Sequence, residues 1–244
     1  MHDTKKTTKS SVEEIRDRFD SDVERFSNLE TGQAATIDAP LAMELITQAA
    51  ISATPSIKRV LDIGCGAGNN TISLIRAYPS AFACDLCDLS QPMLNRAKER
   101  ISKERHSEIG IFEGDFRTVS LAEASYDVVL AAAVLHHLRE DADWEAVFQK
   151  IFQLLRPGGS FWITDLVAQE SPQINDLMWK RYGAYLEKLD GEQYRTSVLD
   201  YIHKEDSPRS VTYQIDLMCR VGFGSVEILH KNSCFAAFGG IKAI

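Results

Sequence analysis

A glycine turn that follows an acidic residue is the part of the sequence whose residue types and spacing most directly suggest chemistry. Residues 60–71 read V-L-D-I-G-C-G-A-G-N-N-T, so that Asp62 precedes Gly64, Gly66 and Gly68. An apolar run leads into this turn and a segment of helical character follows it. A strand, a glycine turn and a helix in this order predict a nucleoside cofactor at the carboxyl edge of a parallel sheet. Glycine is needed there because a Cβ atom would hold the ligand away from the backbone.

The spacing of the glycines distinguishes between two kinds of cofactor. A dinucleotide fingerprint, G-x-G-x-x-G, would place its third glycine at position 69, which is Asn69. A carboxylate such as Asp62 would repel a pyrophosphate, whereas it suits a ligand with an ammonium group and a sulfonium. The motif resembles the first motif, D/E-x-G-x-G-x-G, of the class I S-adenosylmethionine-dependent methyltransferases. The resemblance implies that the cofactor is S-adenosyl-L-methionine.

A second acid comes 20 residues after Gly68. Asp88 begins the phrase D-L-S-Q-P-M-L, which resembles the family's D-L-S-x-x-M-L. An acid at the end of the second strand is the expected acceptor for the ribose hydroxyls. Asp85, three residues earlier, is the competing acid. Asp88 is preferred because Ser90 then becomes the N-cap of a helix that starts near Pro92.

Further cofactor contacts are expected in the segments that follow. The family places an acid after the third strand against the adenine amino group, with an apolar neighbour on the ring face, and Asp115 and Phe116 of E-G-D-F match these positions. Cys65 in the glycine turn, Leu89 beside Asp88 and Ala132 in the fourth strand complete the set that the resemblance implies.

His136 and His137 are the candidate catalytic residues. They lie in V-L-H-H-L after the fourth strand, close to the family's signature there and near the expected position of the methyl group. Methyl transfer to a carbon activated by a sulfonium needs mainly alignment and exclusion of water. A general base is needed only if the acceptor must lose a proton. Local packing or solvation of the two imidazoles is the alternative interpretation.

A looser resemblance points to the carboxy-S-adenosylmethionine synthases. It rests on R-F-D at 18–20, on Y-R-T-S-V-L around Arg195 and on C-F-A-A-F-G at 234–239. In that branch an arginine of the insertion binds the extra carboxylate of the product made from S-adenosylmethionine and prephenate for tRNA modification. Arg195 matches it by position, and a guanidinium suits a carboxylate. However, position 66 is glycine where the synthases have serine, and V-L-H-H-L is ordinary methyltransferase sequence. Methyl transfer to a small molecule is therefore predicted, with the synthase reaction as the alternative.

The elements that position these residues follow from the alternation of apolar and amphipathic segments. Strands are predicted near 58–63, 81–88, 109–113, 127–133 and 160–166, and helices near 69–77, 92–104 and 142–155. This βαβ repetition predicts an α/β fold with a doubly wound, mainly parallel sheet. Two C-terminal segments, 225–230 and 233–243, read as strands joined by a tight turn at 231–232. The resemblance implies a seven-stranded, Rossmann-like sheet with one strand reversed.

Two regions lie outside this predicted core. Helical patterns at 12–26 and 40–52 indicate an N-terminal tail and helical cap, residues 1–55. The cofactor-binding domain would then span 56–244. It carries a polar, mostly helical insertion, 168–209, after the fifth strand and before a helix at 211–220. Substrate selection is expected in the cap and in the insertion.

The composition limits the partners. The chain has 244 residues, 44% of them hydrophobic, and a net charge of −8. This charge disfavours nucleic acid as a substrate, although a local basic patch in the insertion is the open alternative. There is no apolar run of membrane-spanning length and no secretory signal pattern, so a cytoplasmic protein is expected. A homodimer is expected from the resemblance. The C-x-x-C of Cys84 and Cys87 has no second pair, so no metal site is expected.

Overall fold

The computed structural model of the protein describes residues 9–21, 23–24, 34–104 and 108–244. Its core is one seven-stranded sheet in the order β3-β2-β1-β4-β5-β7-β6. The strands are β1 Arg59–Ile63, β2 Ala83–Asp88, β3 Ile109–Glu113, β4 Tyr126–Ala132, β5 Leu155–Leu166, β6 Phe223–Asn232 and β7 Phe235–Lys242. Strands β1 to β5 pair in parallel and β7 is antiparallel to both its neighbours. The predicted fold class is confirmed.

Seven α-helices and one short 3-10 helix at Leu135–His137 are described. The α-helices are α1 Val12–Ser21, α2 Ala39–Ala53, α3 Asn69–Ala77, α4 Gln91–Ile101, α5 Asp141–Leu154, α6 Pro172–Glu205 and α7 Val211–Val221. Within the described residues, none is long and apolar enough to cross a membrane. Residue 22 and residues 25–26 of the predicted first helix lie outside the described residues.

The central strands are apolar on both faces because helices cover the sheet from both sides. Val60, Val128 and Trp162 belong to the cluster that also holds residues of α2, α3 and α4. Leu61, Val129 and Phe161 belong to the cluster that holds residues of α5 and α7. Strand order reverses between β1 and β4, and this is where open α/β sheets bind ligands.

Two predicted boundaries in the C-terminal half are wrong. The hairpin turn lies at 233–234 and not at 231–232, since β6 continues through Asn232 and Ser233 adopts the left-handed conformation that reverses the chain, with φ 50°. Strand β5 begins at Leu155, five residues before the predicted start, because Leu155 already pairs with Tyr126 beside an irregularity of the ladder.

The insertion forms a helical hairpin over one end of the sheet. Helix α6 is interrupted at Asp190 and Gly191, where Gly191 has φ 82°, so the segment consists of two helices joined by a sharp turn. Tyr182, Leu186 and Ile202 pack with Leu166 of β5 in a separate apolar cluster. The insertion therefore shares a packed interface with the sheet.

Helix α2 packs into the main core, where Ile46 and Ala50 are almost fully buried against residues of the sheet. Helix α1 lies over the carboxyl edge, where Ser90 donates a hydrogen bond to Asp20 at 2.5 Å. The division into a cap at 1–55 and a domain at 56–244 stays a prediction, although α2 shares its core with the sheet.

Candidate active site

A cleft of about 740 Å³ opens at the carboxyl ends of the parallel strands. The loops after β1, β2, β4 and β5 form its floor, and side chains of α1 and α6 cover it. Of the predicted site residues, Gly64, Cys65, Gly66, Asp88, Leu89, Ala132, His136 and His137 line this cleft. Four further ones, Asp62, Gly68, Asp115 and Phe116, do not line it, nor does Arg195.

The three glycines of the turn serve different purposes. All have positive φ, of 61°, 50° and 79° for Gly64, Gly66 and Gly68. A Cβ on Gly64 would lie 2.5 Å from a methyl carbon of Val134, and one on Gly68 would lie 3.2 Å from the Cβ of Ala97. A Cβ on Gly66 would meet nothing within 4 Å. Gly64 and Gly68 are therefore required by packing, whereas the space over Gly66 is open and fits a ligand against the backbone.

Asp88 ends β2 beside this turn and fixes it. Its carboxylate accepts hydrogen bonds from the backbone N–H groups of Gly66 at 2.8 Å and of Ser90 at 2.9 Å. Burial raises the pKa of the Asp88 carboxyl, although these backbone donors favour the charged form. Ser90 also accepts a hydrogen bond from the N–H of Met93, so the predicted N-cap of α4 is present.

The competing acid, Asp85, is held by contacts within the core. It is buried and forms a two-pronged ion pair with Arg59, with both N–O distances 2.9 Å. Tyr126 donates a further hydrogen bond to it at 2.7 Å. Asp85 does not line the cleft, so of the two acids the structure brings only Asp88 to it.

Asp62 lies beneath the turn and is fully buried. One carboxylate oxygen accepts a hydrogen bond from Thr71 in the first turn of α3 at 2.7 Å. The other has no hydrogen-bond partner among the described residues. Burial raises the pKa of Asp62 to about 7. In this arrangement Asp62 holds the start of α3 against the turn and does not face the cleft.

Asp115 and Phe116 follow β3 at the side of the cleft. Asp115 pairs with Arg117, which outweighs the effect of burial and lowers the pKa of the carboxyl. Phe116 packs into the core, and the ammonium group of Lys150 lies 4.5 Å from its ring centre. Neither residue lies on the cleft surface.

The two histidines lie on the cleft floor between two buried aspartates. His136 pairs through Nδ1 with Asp165, whose other oxygen accepts the backbone N–H of His136 at 3.2 Å. Asp206 comes from the end of the insertion, with its Oδ1 3.7 Å from His136 Nε2 and 3.2 Å from His137 Nδ1. Burial lowers the pKa of His136, but Asp165 and Asp206 outweigh it and raise the value to about 9. Burial lowers the pKa of His137, and the adjacent His136 lowers it further.

Arg195 lies outside the cleft. It pairs with Glu187 across the helical hairpin, with an N–O distance of 2.6 Å, and with Glu192 at 3.2 Å. It lines a separate groove between the two halves of α6, together with Trp179 and His203. The structure does not bring this guanidinium to the predicted carboxylate position within the chain.

Several cleft residues were missed by the sequence analysis. Arg18 and Phe19 reach the cleft from α1, and Tyr201 reaches it from α6. A helical pattern at 12–26 predicted α1 itself, but only the R-F-D phrase of the looser resemblance connected it with the site. Asp206 could not be identified from local sequence, since the fold brings it to histidines about 70 residues earlier.

Comparisons with known proteins agree with this geometry. A family model described as a methyltransferase domain matches residues 60–159. A carboxy-S-adenosyl-L-methionine synthase of Hydrogenovibrio crunogenus is 30% identical over 193 residues, which are 76% of this chain and 73% of that protein. A demethylmenaquinone methyltransferase of Lactococcus lactis is 28% identical over 172 residues, 69% of this chain and 66% of that protein.

A solved structure shares the fold. Human N-acetylserotonin methyltransferase in complex with S-adenosylmethionine has a TM-score of 0.61 at 18% identity, over 94% of this chain and 57% of that one. At this identity the likeness concerns the fold alone, and the chain spans little more than half of the human enzyme. Together with the sequence matches and the glycine turn, it shows that this chain belongs to the class I S-adenosylmethionine-dependent methyltransferases.

Proposed function

We propose that this protein transfers a methyl group from S-adenosyl-L-methionine to a small-molecule acceptor that binds in the same cleft. The observation that carries the proposal is the extent of the cleft, which runs from the glycine turn to the histidines and is covered by α1 and α6. Its volume of about 740 Å³ lies in the range of small-molecule sites. The cover disfavours a folded macromolecule as the acceptor.

On the cofactor side, residues of the glycine turn and of two strand ends hold the ligand. The open face of Gly66 accepts the ligand against the backbone, and Asp88 accepts hydrogen bonds from the ribose hydroxyls while it holds the turn. Leu89 and Ala132 provide apolar contacts from the adjoining strand ends. The bound cofactor supplies a methyl group activated by a sulfonium.

On the acceptor side, α1, α6 and the start of β7 supply mainly aromatic surface. Phe19 comes from α1, Tyr194 and Tyr201 come from α6, and Phe235 comes from the start of β7. Rings of this kind exclude water and restrict the orientation of a small acceptor. Alignment of the reacting atoms can contribute up to roughly 7–11 kcal/mol to the acceleration of such a reaction.

A base role for the histidines belongs to this proposal only where the acceptor must lose a proton. Both ring nitrogens of His136 face carboxylates, since Nδ1 pairs with Asp165 and Nε2 lies near Asp206. The ring of His137 faces Phe19 of the cover edge-on, with ring centres 6.2 Å apart. His137 is therefore the histidine with an acceptor-side contact.

The synthase reaction is the second candidate, because a relative of that name is 30% identical over most of the chain. Glycine at position 66 and the ion pair of Arg195 with Glu187 are observations that favour methyl transfer.

The experiment incubates the purified protein with S-adenosylmethionine that carries an isotopic label in its methyl group. A mixture of small metabolites serves as acceptor in one reaction and prephenate in another. A labelled metabolite together with S-adenosylhomocysteine supports methyl transfer. A carboxylated sulfonium formed only with prephenate supports the synthase and contradicts the first proposal.

Two further expectations concern the assembly and the compartment. A homodimer agrees with the exposure of Ile174 and Leu177 on α6, and light scattering after size exclusion would test it.

A cytoplasmic location and the absence of nucleic acid as a substrate remain predictions from the sequence. The basic patch considered in the insertion is partly neutralised, since Arg195 pairs with Glu187 and Arg209 pairs with Asp141.

A further inference from the structure

Three side chains with the atoms that bind transition metals converge on the cleft floor. His136 and His137 contribute imidazole nitrogens and Asp206 contributes a carboxylate oxygen, and one such atom from each lies within 4.8 Å of the others. We refer to His136, His137 and Asp206 as the histidine–aspartate cluster. The expectation of no metal site rested on cysteine spacing alone, and these three residues are not cysteines.

Two atoms of the cluster are buried and have no hydrogen-bond partner but each other. Nδ1 of His137 and Oδ1 of Asp206 lie 3.2 Å apart as an ion pair, and neither makes a well-directed hydrogen bond to any other described residue. The Asp206 side chain is only 3% exposed. A buried carboxylate oxygen or imidazole nitrogen without a partner costs free energy, so its retention requires an explanation. Both atoms are lone-pair donors that a cation would satisfy together.

The distances within the cluster are compatible with coordination of one ion. Four ligands around zinc with bonds of about 2.0–2.1 Å lie about 3.3 Å from one another. Oδ1 of Asp206 lies 3.2 Å from Nδ1 of His137 and 3.7 Å from Nε2 of His136. Since one ligand atom from each side chain lies within 4.8 Å of the others, a single ion between them would draw these atoms closer together.

Asp165 provides the support that metal-binding histidines usually have. It pairs with Nδ1 of His136, which leaves Nε2 directed towards Asp206. A carboxylate behind the second nitrogen fixes the tautomer and the orientation of a ligating imidazole. Asp165 also accepts the backbone N–H of His136 and is 3% exposed, so this support is rigid.

Charge in the region is consistent with a bound cation. Asp165 and Asp206 are two buried carboxylates. The side chains of Lys9 and Arg139 approach the same region, but Arg139 donates to Ser207 and to backbone oxygens, and Lys9 donates to backbone oxygens. Neither of them forms an ion pair with the two aspartates among the described residues.

We propose that His136, His137 and Asp206 bind a divalent transition-metal ion, with a coordination position open to the cleft. Two imidazoles and one carboxylate suit zinc, iron, cobalt or manganese. The open position would hold a hydroxyl oxygen of the acceptor, and a metal ion lowers the pKa of a hydroxyl group that binds it through oxygen. The histidines are then ligands and not bases. Ion binding does not depend on the identity of the acceptor, so failure of this proposal would leave methyl transfer untouched.

The test uses untagged full-length protein, dialysed against a chelator and titrated with Co²⁺ alone. Visible absorption reports the coordination of cobalt by nitrogen and oxygen ligands, and added Zn²⁺ should abolish the signal by displacement. We expect one Co²⁺ per chain. Asp165→Asn should weaken binding by about 10–100-fold through loss of support for His136, and His137→Gln and Asp206→Asn should weaken it at least as much.

His230→Ala is the matched control. His230 also pairs with an aspartate, Asp38, at 2.8 Å, but it does not line the cleft. The His230→Ala variant should bind Co²⁺ as tightly as the wild type does. Thermal unfolding identifies which cluster variants are folded, and the comparison is made on those. The proposal is wrong if the wild type binds no stoichiometric Co²⁺, or if folded Asp206→Asn and His137→Gln bind it unchanged.

Discussion

The backbone N–H of Gly66 donates a hydrogen bond of 2.8 Å to the carboxylate of Asp88, and this contact joins the glycine turn after β1 to the end of β2. The two residues are 22 positions apart in the sequence. The contact couples the open backbone face at Gly66 to the carboxylate that is proposed to accept the ribose hydroxyls. Each half of the proposed cofactor site is therefore positioned by the other.

Asp88→Ala should weaken the binding of S-adenosylmethionine by about 1–3 kcal/mol, because hydrogen bonds to the ribose and to the turn are lost. Asp85→Ala is the control. It removes the partner of Arg59 and Tyr126 and should lower the free energy of unfolding while cofactor affinity is kept. Calorimetric titration of both variants checks this. Loss of affinity in Asp85→Ala alone would mean that the wrong acid has been assigned.

Gly66→Ala and Gly64→Ala should separate ligand space from packing. Gly66 has φ 50°, so an alanine there strains the backbone by roughly 1–2 kcal/mol, but its methyl group projects into open space. The protein should therefore stay folded at somewhat lower stability while it binds S-adenosylmethionine more weakly. The same methyl at Gly64 would lie 2.5 Å from a carbon of Val134 and should lower the melting temperature markedly. Thermal unfolding and calorimetry measure the two effects. Equal affinity in Gly66→Ala and the wild type would argue against ligand space at this position.

Asp62→Asn should stabilise the ligand-free protein at high pH. The folded-state pKa of Asp62 is raised to about 7, above an unfolded value of about 3.9, so the folded protein prefers the neutral carboxyl. This group therefore destabilises the wild type increasingly as the pH rises from about 4 to about 7. The difference in unfolding free energy between variant and wild type should be small near pH 4 and roughly 2–4 kcal/mol at pH 8. Urea unfolding across this range measures it, and a difference that does not vary with pH would contradict the explanation.

Arg18→Ala should loosen α1 from the cleft. Arg18 donates a hydrogen bond to Glu205 at 2.8 Å, and the Glu205 side chain is fully buried. The substitution therefore removes a positive charge that stabilises this buried carboxylate. Hydrogen exchange of residues 12–21 should become faster. Asp17→Ala, an exposed position on the same helix, should leave exchange unchanged. Equal exchange in Arg18→Ala and the wild type would show that the ion pair does not hold the helix.

Much of the fold could be predicted from the sequence because its signals are local. The glycine turn, the Ser90 cap and the apolar strands each follow from nearby residues, and the structure confirms them. The hairpin turn was misplaced because position 233, a serine, adopts a left-handed conformation without a glycine or asparagine to indicate it.

Only part of the candidate site could be predicted from the local sequence. Asp88 could be distinguished from Asp85 by its distance to the capping serine. The approach of Asp206 to the histidines, and the pairing of Arg195 with Glu187, depend on how the helical hairpin folds over the sheet. Such contacts between distant segments leave no periodicity or motif in the sequence.

Calorimetric titration of the dialysed protein with S-adenosylmethionine, run beside the same titration of Gly66→Ala, tests the proposed cofactor site most directly. We expect saturable binding of one cofactor per chain and clearly weaker binding to the folded variant. Absence of saturable binding, or equal affinity for both proteins, would contradict the proposed site at the glycine turn.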